Sequence, residues 1–287
     1  MAKEKKDSYL KDAFRRLKRH KLAMISLAVL IIEVLIVLIM PLFYKVDPNA
    51  NAGVGFYAKP SAQHLLGTDQ VGRDVLARVL SGGRISLLIG FLSSIISMVL
   101  GVPLGLVAGY YKGAFEQIIM RLTEIFQTIP TMVLMLVLVA IFSPSVPLLI
   151  AIIGVLGWTG YARLVYSSVL AVSQKEYVES ARAIGEKDRR ILVKYILPNV
   201  ITPVLISFTF GIAGAILEES GLSFLGLGVQ MPQASWGNIL NSARNITVLS
   251  AYAWCWIPAG VALVITVSAI NFLGDGIRDA LDTSIKI

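Results

Sequence analysis

Few residues in this chain have the type and spacing that catalysis or metal binding would need. It contains no G-x-x-x-x-G-K phosphate loop, no H-E-x-x-H metal motif, no G-x-S-x-G nucleophile elbow and no C-x-x-C pair. Cys255 is its one cysteine, and its two histidines, His20 and His64, lie far apart in sequence. One cysteine cannot form a disulfide framework, and two distant histidines do not make a zinc site. The sequence therefore predicts neither an enzyme nor a metalloprotein.

The composition is that of a membrane protein. Of the 287 residues, 56% are hydrophobic and only 15% are charged, and the mean hydropathy is +0.73. A soluble domain carries roughly 25% charged residues, so this chain could not cover a water-exposed surface. Because the apolar residues form several long runs, the sequence predicts an all-α polytopic membrane protein.

The net charge of +8 could suggest a nucleic-acid partner, but the positions of the charges argue against one. Nine of the 26 lysines and arginines lie in residues 1–21, and six lie in residues 172–198. Basic residues concentrated beside membrane spans are typical of cytoplasmic loops. Residues 1–21 also place Tyr9, Phe14 and Leu17 at helical spacing, which favours an amphipathic helix on the cytoplasmic membrane surface over a disordered basic tail. The expected partner is membrane lipid.

Six apolar segments are each long enough to cross a hydrocarbon core, which needs about 20 residues in a helix. They are residues 22–43, 85–109, 118–142, 146–172, 200–217 and 254–273. Pro130 lies inside the third segment and predicts a kink there. With both termini in the cytoplasm, the inner segments carry nineteen lysines and arginines and the outer ones five. This asymmetry predicts six spans with both ends cytoplasmic.

The first span raises two questions. A basic head before an apolar run resembles a signal peptide, and Ala50 to Ala52 imitate a cleavage site. The apolar run is too long for a signal sequence, so an uncleaved anchor is predicted. Glu33 is the only acidic residue well inside a span. An intramembrane carboxylate is a functional candidate, but a protonated group, or one paired with a neighbouring helix, is the favoured interpretation.

The longest polar segment between two apolar runs is EYVESARAIGEKDRRILVKYILP, residues 176–198. Its good helix formers include Glu179, Ala181 and Ala183, while Gly185 predicts a break between two short helices. Pro198 is predicted to end the second helix before the chain becomes apolar again. On composition alone, this segment is an ordinary charged cytoplasmic loop.

The spacing within this segment resembles the EAA loop of ATP-binding-cassette (ABC) importer permeases. Departures from that pattern are Ser180, where a second alanine is usual, and Tyr195, where isoleucine is common. The resemblance implies a short coupling helix, in loop 174–198, that docks in a groove on an ATPase subunit, with Ala181 small so that the helix can seat. The docking residues it implies are Glu179, Ser180, Ala181, Ala183, Gly185, Leu197 and Pro198.

Four further stretches resemble a narrower group, the dipeptide and oligopeptide permeases, and within it the second (C-type) permease subunit. They are His64–Asp69 with Gly72–Asp74, Gly83–Leu87, Gly221–Gly228 with Ser235–Gly237, and Asn271–Gly276. Their order and position along the chain agree with that group. Without the resemblance, they read as turns, a helix cap at Asp69 or Asp74, a connecting loop and a helix terminus.

The resemblance also implies a role for residues 218–252, as an extracytoplasmic re-entrant segment that faces a docked binding protein. Gly221, Gly226 and Gly228 make a continuous helix unexpected there, and Trp236 is expected at the membrane interface. The residues proposed for an outer gate and for contact with the binding protein are Glu218, Glu219, Ser223, Phe224 and Trp236.

The predicted organisation is a five-helix type I ABC importer core preceded by an N-terminal span. Its parts are a basic segment 1–21, a first span 22–43, an extracytoplasmic segment 44–83, a core 84–273 containing loop 174–198 and segment 218–252, and a cytoplasmic tail 274–287. The membrane implied is the plasma (inner) membrane of a bacterium or an archaeon.

The function implied by the resemblance is that of a permease subunit without catalytic activity. It would pair with a homologous permease as a heterodimer, with two ATPase subunits and with an extracytoplasmic binding protein that delivers dipeptides or oligopeptides. This chain would hold no cofactor, since ATP and Mg belong to the ATPases, and transport would proceed by alternating access. Nickel chelates or glutathione are alternative cargoes. An ion-coupled secondary transporter, with paired ionisable residues at mid-membrane, and a structural membrane scaffold remain alternatives of other classes.

Overall fold

The computed structural model describes residue 12 and residues 14–281 of the chain. Much of the predicted amphipathic segment 1–21, including Tyr9, therefore lies outside the described residues, as do the last six residues of the tail. Residues 14–19 are helical. In the part of the chain that is described, the structure is helical without strands, and two isolated β-bridges, Asn51 with Arg73 and Thr68 with Asp74, lie in the segment before the second long helix.

Twelve α-helices follow one another from residue 21 to residue 281. They are α1 Lys21–Phe43, α2 Val75–Tyr111, α3 Gly113–Thr128, α4 Thr131–Phe142, α5 Val146–Leu156, α6 Trp158–Ser173, α7 Glu176–Ala183, α8 Asp188–Ile191, α9 Leu197–Phe224, α10 Trp236–Leu240, α11 Ile246–Ala251 and α12 Ile257–Leu281. A π-helical turn, Leu192–Ile196, joins α8 to α9, and two short 3-10 turns flank α11.

The membrane-spanning elements agree with the predicted six. Five helical stretches of the described chain are long and apolar enough to cross a membrane, and the bent pair α3 and α4 brings the number to as many as six. The stretch Val146–Ser173 counts as one span made of α5 and α6, and Asp188–Phe224 as one made of α8, the π turn and α9. The all-α polytopic fold is confirmed.

The helix α2 is the centre of the bundle, because it packs against α1, α5, α6 and α9. Its contact with α6 is the most extensive and is made along a row of glycines, Gly101, Gly105 and Gly109. A Cβ atom on Gly105 or on Gly109 would lie 2.7 Å from the Cβ of Val165 or of Val169, respectively. The two backbones approach this closely only because these glycines carry no side chain.

The first span is fastened to α2 through a proline. Pro41 lies inside α1 and has no N–H to donate to the carbonyl of Val37, four residues earlier. Arg84 of α2 supplies the missing donor, with its Nε 2.8 Å from the Val37 oxygen and an Nη 2.8 Å from the Leu38 oxygen. The arginine satisfies backbone acceptors that the bilayer could not.

The third span departs from its prediction. The sequence predicts one kinked helix over residues 118–142, whereas α3 and α4 are separate helices that meet at an angle of 85°. Ile129 is extended (φ −92°, ψ 128°), as is usual for a residue before a proline, and Pro130 (ψ 118°) does not resume the helix. Two successive non-helical residues turn the expected kink into a corner.

The fifth span is also longer than predicted. Gly221 was expected to interrupt the helix, but α9 continues through it to Phe224. The break comes at Gly226 (φ +90°), where the amides of Gly226 and Leu227 bond to the carbonyls of Ser223 and Leu222, both at 3.0 Å. This arrangement of a helix end around a left-handed glycine is a Schellman cap. Gly221 serves packing, since a Cβ there would lie 2.6 Å from Cε of Met132.

At its N-terminal end, α2 begins at Val75 and not at residue 85, where the second span was predicted to start. Asp74 is its N-cap and accepts a hydrogen bond from the Ala77 amide at 2.8 Å. The capping role considered for Asp74 is therefore confirmed, and it starts a helix of 37 residues.

We expect the α2–α6 contact to be intolerant of a single methyl group. Gly105→Ala places a carbon against Val165 and should lower stability by about 1–3 kcal/mol, as overpacking does. The measurement is the midpoint of thermal unfolding of the purified chain in detergent. Gly160→Ala is the matched control, because a Cβ on Gly160 of α6 meets nothing within 4 Å. Equal midpoints for the two variants would contradict the close contact.

Candidate functional site

The polar segment between α6 and α9 forms an elbow, defined here as residues 174–196, made of α7, α8 and the π turn. The predicted break lies at Gly185, which has φ +77°. As at Gly226, the left-handed glycine closes a Schellman cap, with the Glu186 amide 3.1 Å from the Ala181 oxygen and the Gly185 amide 3.0 Å from the Arg182 oxygen. The elbow therefore has a fixed bend between two short helices.

The inner face of the elbow is held by the membrane bundle. Val178 (0% exposed) and Ala181 (3% exposed) are buried in a cluster with Val165 of α6 and Val200 of α9. Tyr110, near the end of α2, belongs to this cluster, donates its hydroxyl to Asp188 at 2.7 Å and lies under the Arg182 guanidinium, 5.1 Å from ring centroid to Cζ. Both helices of the elbow are thus attached to the same aromatic side chain.

This burial changes the reason why Ala181 must be small. The resemblance implies that Ala181 faces a groove on a partner, but its side chain is buried in the chain's own core. A larger side chain there would disturb the packing of α7 on α2 and α6. The other docking residues of the elbow, Glu179, Ser180, Ala183 and Gly185, are exposed, and Leu197 and Pro198 are half-buried at the start of α9.

The outer face of the elbow carries apolar residues beyond the docking residues that the resemblance implies. Ile184 is 78% exposed and Tyr177 is 41% exposed, and with Ser180 they follow one helical face. These large apolar side chains give the exposed face of a polar loop a surface on which another protein could pack. Their signal was present in the sequence as hydrophobic residues at spacing i and i+7 within a charged segment.

The opposite end of the bundle contains a buried carboxylate, Glu219 of α9 (0% exposed). Its oxygens accept hydrogen bonds from Ser223 at 2.6 Å, from Ser86 of α2 at 2.9 Å and from Ser220 at 3.4 Å. The same Ser86 hydroxyl oxygen accepts the Trp236 amide at 3.2 Å. A buried carboxylate needs several donors, and here they come from α2 and α9.

The residues after α9 fold back onto this carboxylate. Ser223 Oγ accepts the Val229 amide at 2.9 Å, and Ser235 Oγ lies 3.3 Å from it. Ser235 also caps α10 in a capping box with Asn238. The Gly226–Ser235 segment is thereby tied to the Glu219 network at both ends.

Each residue of the S-W-G stretch, Ser235–Gly237, therefore makes a contact that holds the folded-back segment in place. Trp236 (1% exposed) donates its indole N–H to the Val79 carbonyl of α2 at 3.1 Å. A Cβ on Gly237 would lie 2.6 Å from Cα of Ser220 in α9. The sequence predicts Trp236 at the membrane interface, and in the structure its side chain is buried between α2 and the folded-back segment.

The residues proposed for an outer gate and binding-protein contact are thus divided by the structure. Glu219, Ser223 and Trp236 are buried and are not available to a protein docking from outside in this arrangement, because their polar atoms bond one another and α2. Glu218 is half-buried, and Phe224 is 40% exposed. Only these last two present surface.

The segment before α2 is anchored at its helix cap. Asp74 (0% exposed) bonds His64 Nδ1 at 2.7 Å and the Tyr44 hydroxyl at 2.8 Å. Burial, and then the bond to the Asp74 carboxylate, raise the pKa of Tyr44 above its usual range, so its hydroxyl remains a donor at physiological pH. This anchor joins the H-x-L-G-T-D stretch, through His64, to the G-R-D stretch, through Asp74. Taken alone, both stretches read as turns.

Glu33 in α1 is paired with a neighbouring helix, as the structural interpretation of this intramembrane carboxylate expects. Its Oε1 accepts the Thr266 hydroxyl of α12 at 2.7 Å. The contact joins the first and last spans, and in the part of the chain that the structure describes no second ionisable group bonds the carboxylate. Within the described residues, no group of three or more His, Cys, Asp or Glu side chains could hold a metal ion.

Comparison with known proteins identifies the family. Residues 101–287 match the model of the binding-protein-dependent transport system inner membrane component, and residues 8–60 match the N-terminal transmembrane domain of oligopeptide transport permease C. The dipeptide transport system permease protein DppC of Bacillus subtilis (strain 168) is 38% identical over 97% of this chain and 87% of its own length. The oligopeptide transport system permease protein OppC of the same organism is 34% identical over 97% of this chain and 91% of its own length.

Solved structures share the fold. One chain of the MetNI methionine ABC transporter in an inward-facing conformation matches with a TM-score of 0.60 and 21% identity, over 71% of this chain and 96% of its own. One of an amino acid ABC transporter matches with a TM-score of 0.52 and 16% identity, over 71% of this chain and 94% of its own. The chain belongs to the binding-protein-dependent transport system inner membrane components and is a multi-pass permease subunit of an ABC importer.

We expect the Glu219 network to be required for stability at its end of the bundle. Ser223→Ala removes the donor to Glu219 and the acceptor of the Val229 amide, and leaving these groups unpaired should cost about 1–3 kcal/mol. Thermal unfolding in detergent measures the loss. The control is Ser167→Ala on exposed α6 surface, where the hydroxyl bonds only the Leu164 carbonyl. A Ser223 variant as stable as the control would show that the network is dispensable.

Proposed function

We propose that this chain and a homologous permease together form the pathway of an importer for dipeptides or oligopeptides. An extracytoplasmic binding protein delivers the cargo, and two ATPase subunits, which hold ATP and Mg, drive the cycle. The observation that carries the proposal is the elbow, whose inner face is fixed to the bundle while its outer face exposes Ile184 and Tyr177. The names of the related permeases support the peptide cargo.

The proposed orientation places the elbow and both termini in the cytoplasm. The support is the excess of lysine and arginine at the elbow's end, where Lys187, Arg189, Arg190 and Lys194 lie together on one surface. The Glu219 network and the segment 44–74 then face the outside, where a binding protein would dock. Of the five residues predicted for the outer gate and binding-protein contact, Glu218 and Phe224 are the two with exposed surface that could serve it.

The mechanism we propose for coupling follows from the anchoring of the elbow. An ATPase that binds the exposed face of α7 moves a short helix whose other face is buried against α2, α6 and α9. Because Tyr110 contacts both Arg182 and Asp188, α7 and α8 must move with the end of α2. Motion of the ATPases thereby reaches the spans, which alternate between inward-facing and outward-facing arrangements.

The second permease has an apolar surface available to it. The α3–α4 corner exposes Ile118, Ile125, Val133 and Ile141, and we assign this surface to the heterodimer contact, with the facing surfaces of spans two to five lining the pathway. These apolar side chains can pack against a neighbouring transmembrane helix as well as against lipid.

Other cargoes and other classes find less support. Nickel chelates and glutathione remain cargoes that a permease of this kind could carry, and selectivity would then lie in the binding protein. An ion-coupled transporter is not favoured, since Glu33 is bonded to Thr266 and no paired ionisable residue faces it in the described bundle.

The proposal is tested by purifying the chain gently from its own membrane and analysing its partners. A second permease and an ATPase should accompany it, and proteoliposomes of the assembly with its binding protein should accumulate a radiolabelled dipeptide only when ATP is supplied. A chain that purifies alone and moves solute along an ion gradient would contradict the importer.

Within that assembly, we expect Ile184→Glu to abolish ATPase binding. The substitution puts a charge on the exposed apolar face without touching the buried face, so the chain should fold normally while copurifying ATPase falls tenfold or more, as loss of a central apolar contact predicts. Ile246→Glu is the matched control, since Ile246 is 74% exposed at the opposite end and Ile184 is 78% exposed. Retention of the ATPase by the Ile184 variant would rule out this docking face.

A further inference from the structure

A cavity of about 200 Å³ lies at the start of α2, beneath the segment that folds back after α9. Three of its lining residues are charged, Arg73 and Arg78 positively and Asp69 negatively, and four carry amide side chains. The wall therefore combines polar and apolar side chains and has one positive charge in excess.

The two cations are buried and share a single carboxylate. Arg73 is 7% exposed and Arg78 is 4% exposed. Asp69 Oδ2 lies 2.7 Å from both Nε and Nη2 of Arg73 and 3.6 Å from Nε of Arg78. A buried guanidinium needs a counter-charge of its own, and one carboxylate cannot neutralise two.

Neighbouring acids do not supply the missing charge. Asp74 is occupied by His64, by Tyr44 and by the Ala77 amide of the helix cap. Glu219 is bonded to serine hydroxyls. Neither acid forms an ion pair with Arg73 or Arg78 in the described structure.

The free ends of the two guanidiniums meet at a thioether. Nη1 of Arg73 is 3.2 Å and Nη2 of Arg78 is 3.7 Å from Sδ of Met231. Sulfur of this kind is a weak acceptor, yet here it is the group on which two cationic donors converge. Met231 is 54% exposed, so its side chain can leave without disturbing the core. A different ligand would be held more strongly in its place.

We propose that this cavity is a carboxylate-binding site, in which a carboxylate displaces the Met231 thioether and accepts hydrogen bonds from Arg73 and Arg78. We take this carboxylate to be the terminal carboxylate of a short peptide, an identification that rests on the function proposed above. Guanidinium groups bind carboxylates with paired, charge-assisted hydrogen bonds. The amides of Gln70, Gln230, Asn238 and Asn241 supply the groups that suit a peptide backbone. The volume accommodates the terminal residue, and the rest of the peptide extends outward.

The binding test uses the full chain in lipid nanodiscs and saturation-transfer NMR. The ligands are Ala-Ala, its C-terminal amide and acetate. Ala-Ala and acetate should compete for one site, and the amide should bind at least about tenfold more weakly because it lacks the charge. Equal binding of dipeptide and amide, or no carboxylate binding, would overturn the site. Binding of acetate without competition from Ala-Ala would overturn the peptide source.

Two Met231 variants keep the test independent of folding, since Arg78 also donates to the Pro48 and Pro232 carbonyls at 3.2 and 3.3 Å and its loss could unfold this end of the chain. Met231→Glu supplies a tethered carboxylate, so it should raise the unfolding midpoint and abolish acetate binding. Met231→Gln has the same length without the charge and should do neither. A Glu variant that still binds acetate as the Gln variant does would contradict the proposal.

Uptake by the assembled transporter separates this site from the proposed function. If wild type and Met231→Glu import a dipeptide equally well and the isolated chain does not bind acetate, the site is wrong and the importer stands. If acetate binds as expected but ATP drives no uptake, the site stands and the proposed function falls.

Discussion

The close contact between α2 and α6 is the constraint on which the rest of this structure depends. Lipid offers no hydrophobic driving force between helices, so α2 and α6 must gain their stability from direct packing. Gly101, Gly105 and Gly109 make this possible by leaving room for α6 side chains. With α6 held there, α2 becomes a fixed axis of 37 residues, about 55 Å long, and the other spans are arranged around it.

The two ends of this axis hold the two candidate functional regions. Near one end, Ser86 bonds Glu219 and Trp236, which hold the folded-back segment over the cavity that we propose binds a carboxylate. At the other end, Tyr110 contacts both helices of the elbow. A displacement of the elbow therefore acts on the same helix that supports the opposite surface. In the importer that we propose, this connection is the path by which ATPase motion would reach the opposite side of the bundle.

Much of this architecture could be predicted from sequence, because the features concerned are local. Hydropathy predicts the six spans, Gly185 predicts the break in the elbow, and Asp74 is a predicted helix cap. What could not be predicted depends on contacts distant in sequence. Trp236 is buried because its indole bonds Val79, 157 residues earlier, and Ala181 is small because α2 and α6 pack on it. The 85° corner after Thr128 also exceeds what one proline indicates.

The most direct test of this account is the distance between spin labels on Val193→Cys, an exposed elbow residue away from the proposed docking face, and Gln233→Cys in a Cys255→Ser background. Pulsed electron paramagnetic resonance measures it in the assembled transporter. The account predicts that this distance, from elbow to outer segment, stays constant when ATP is added, while the distance from Val193 to a label on the second permease changes by several ångströms. A change of that size between Val193 and Gln233 would show that α2 bends, most simply at Pro103, and would contradict the fixed axis.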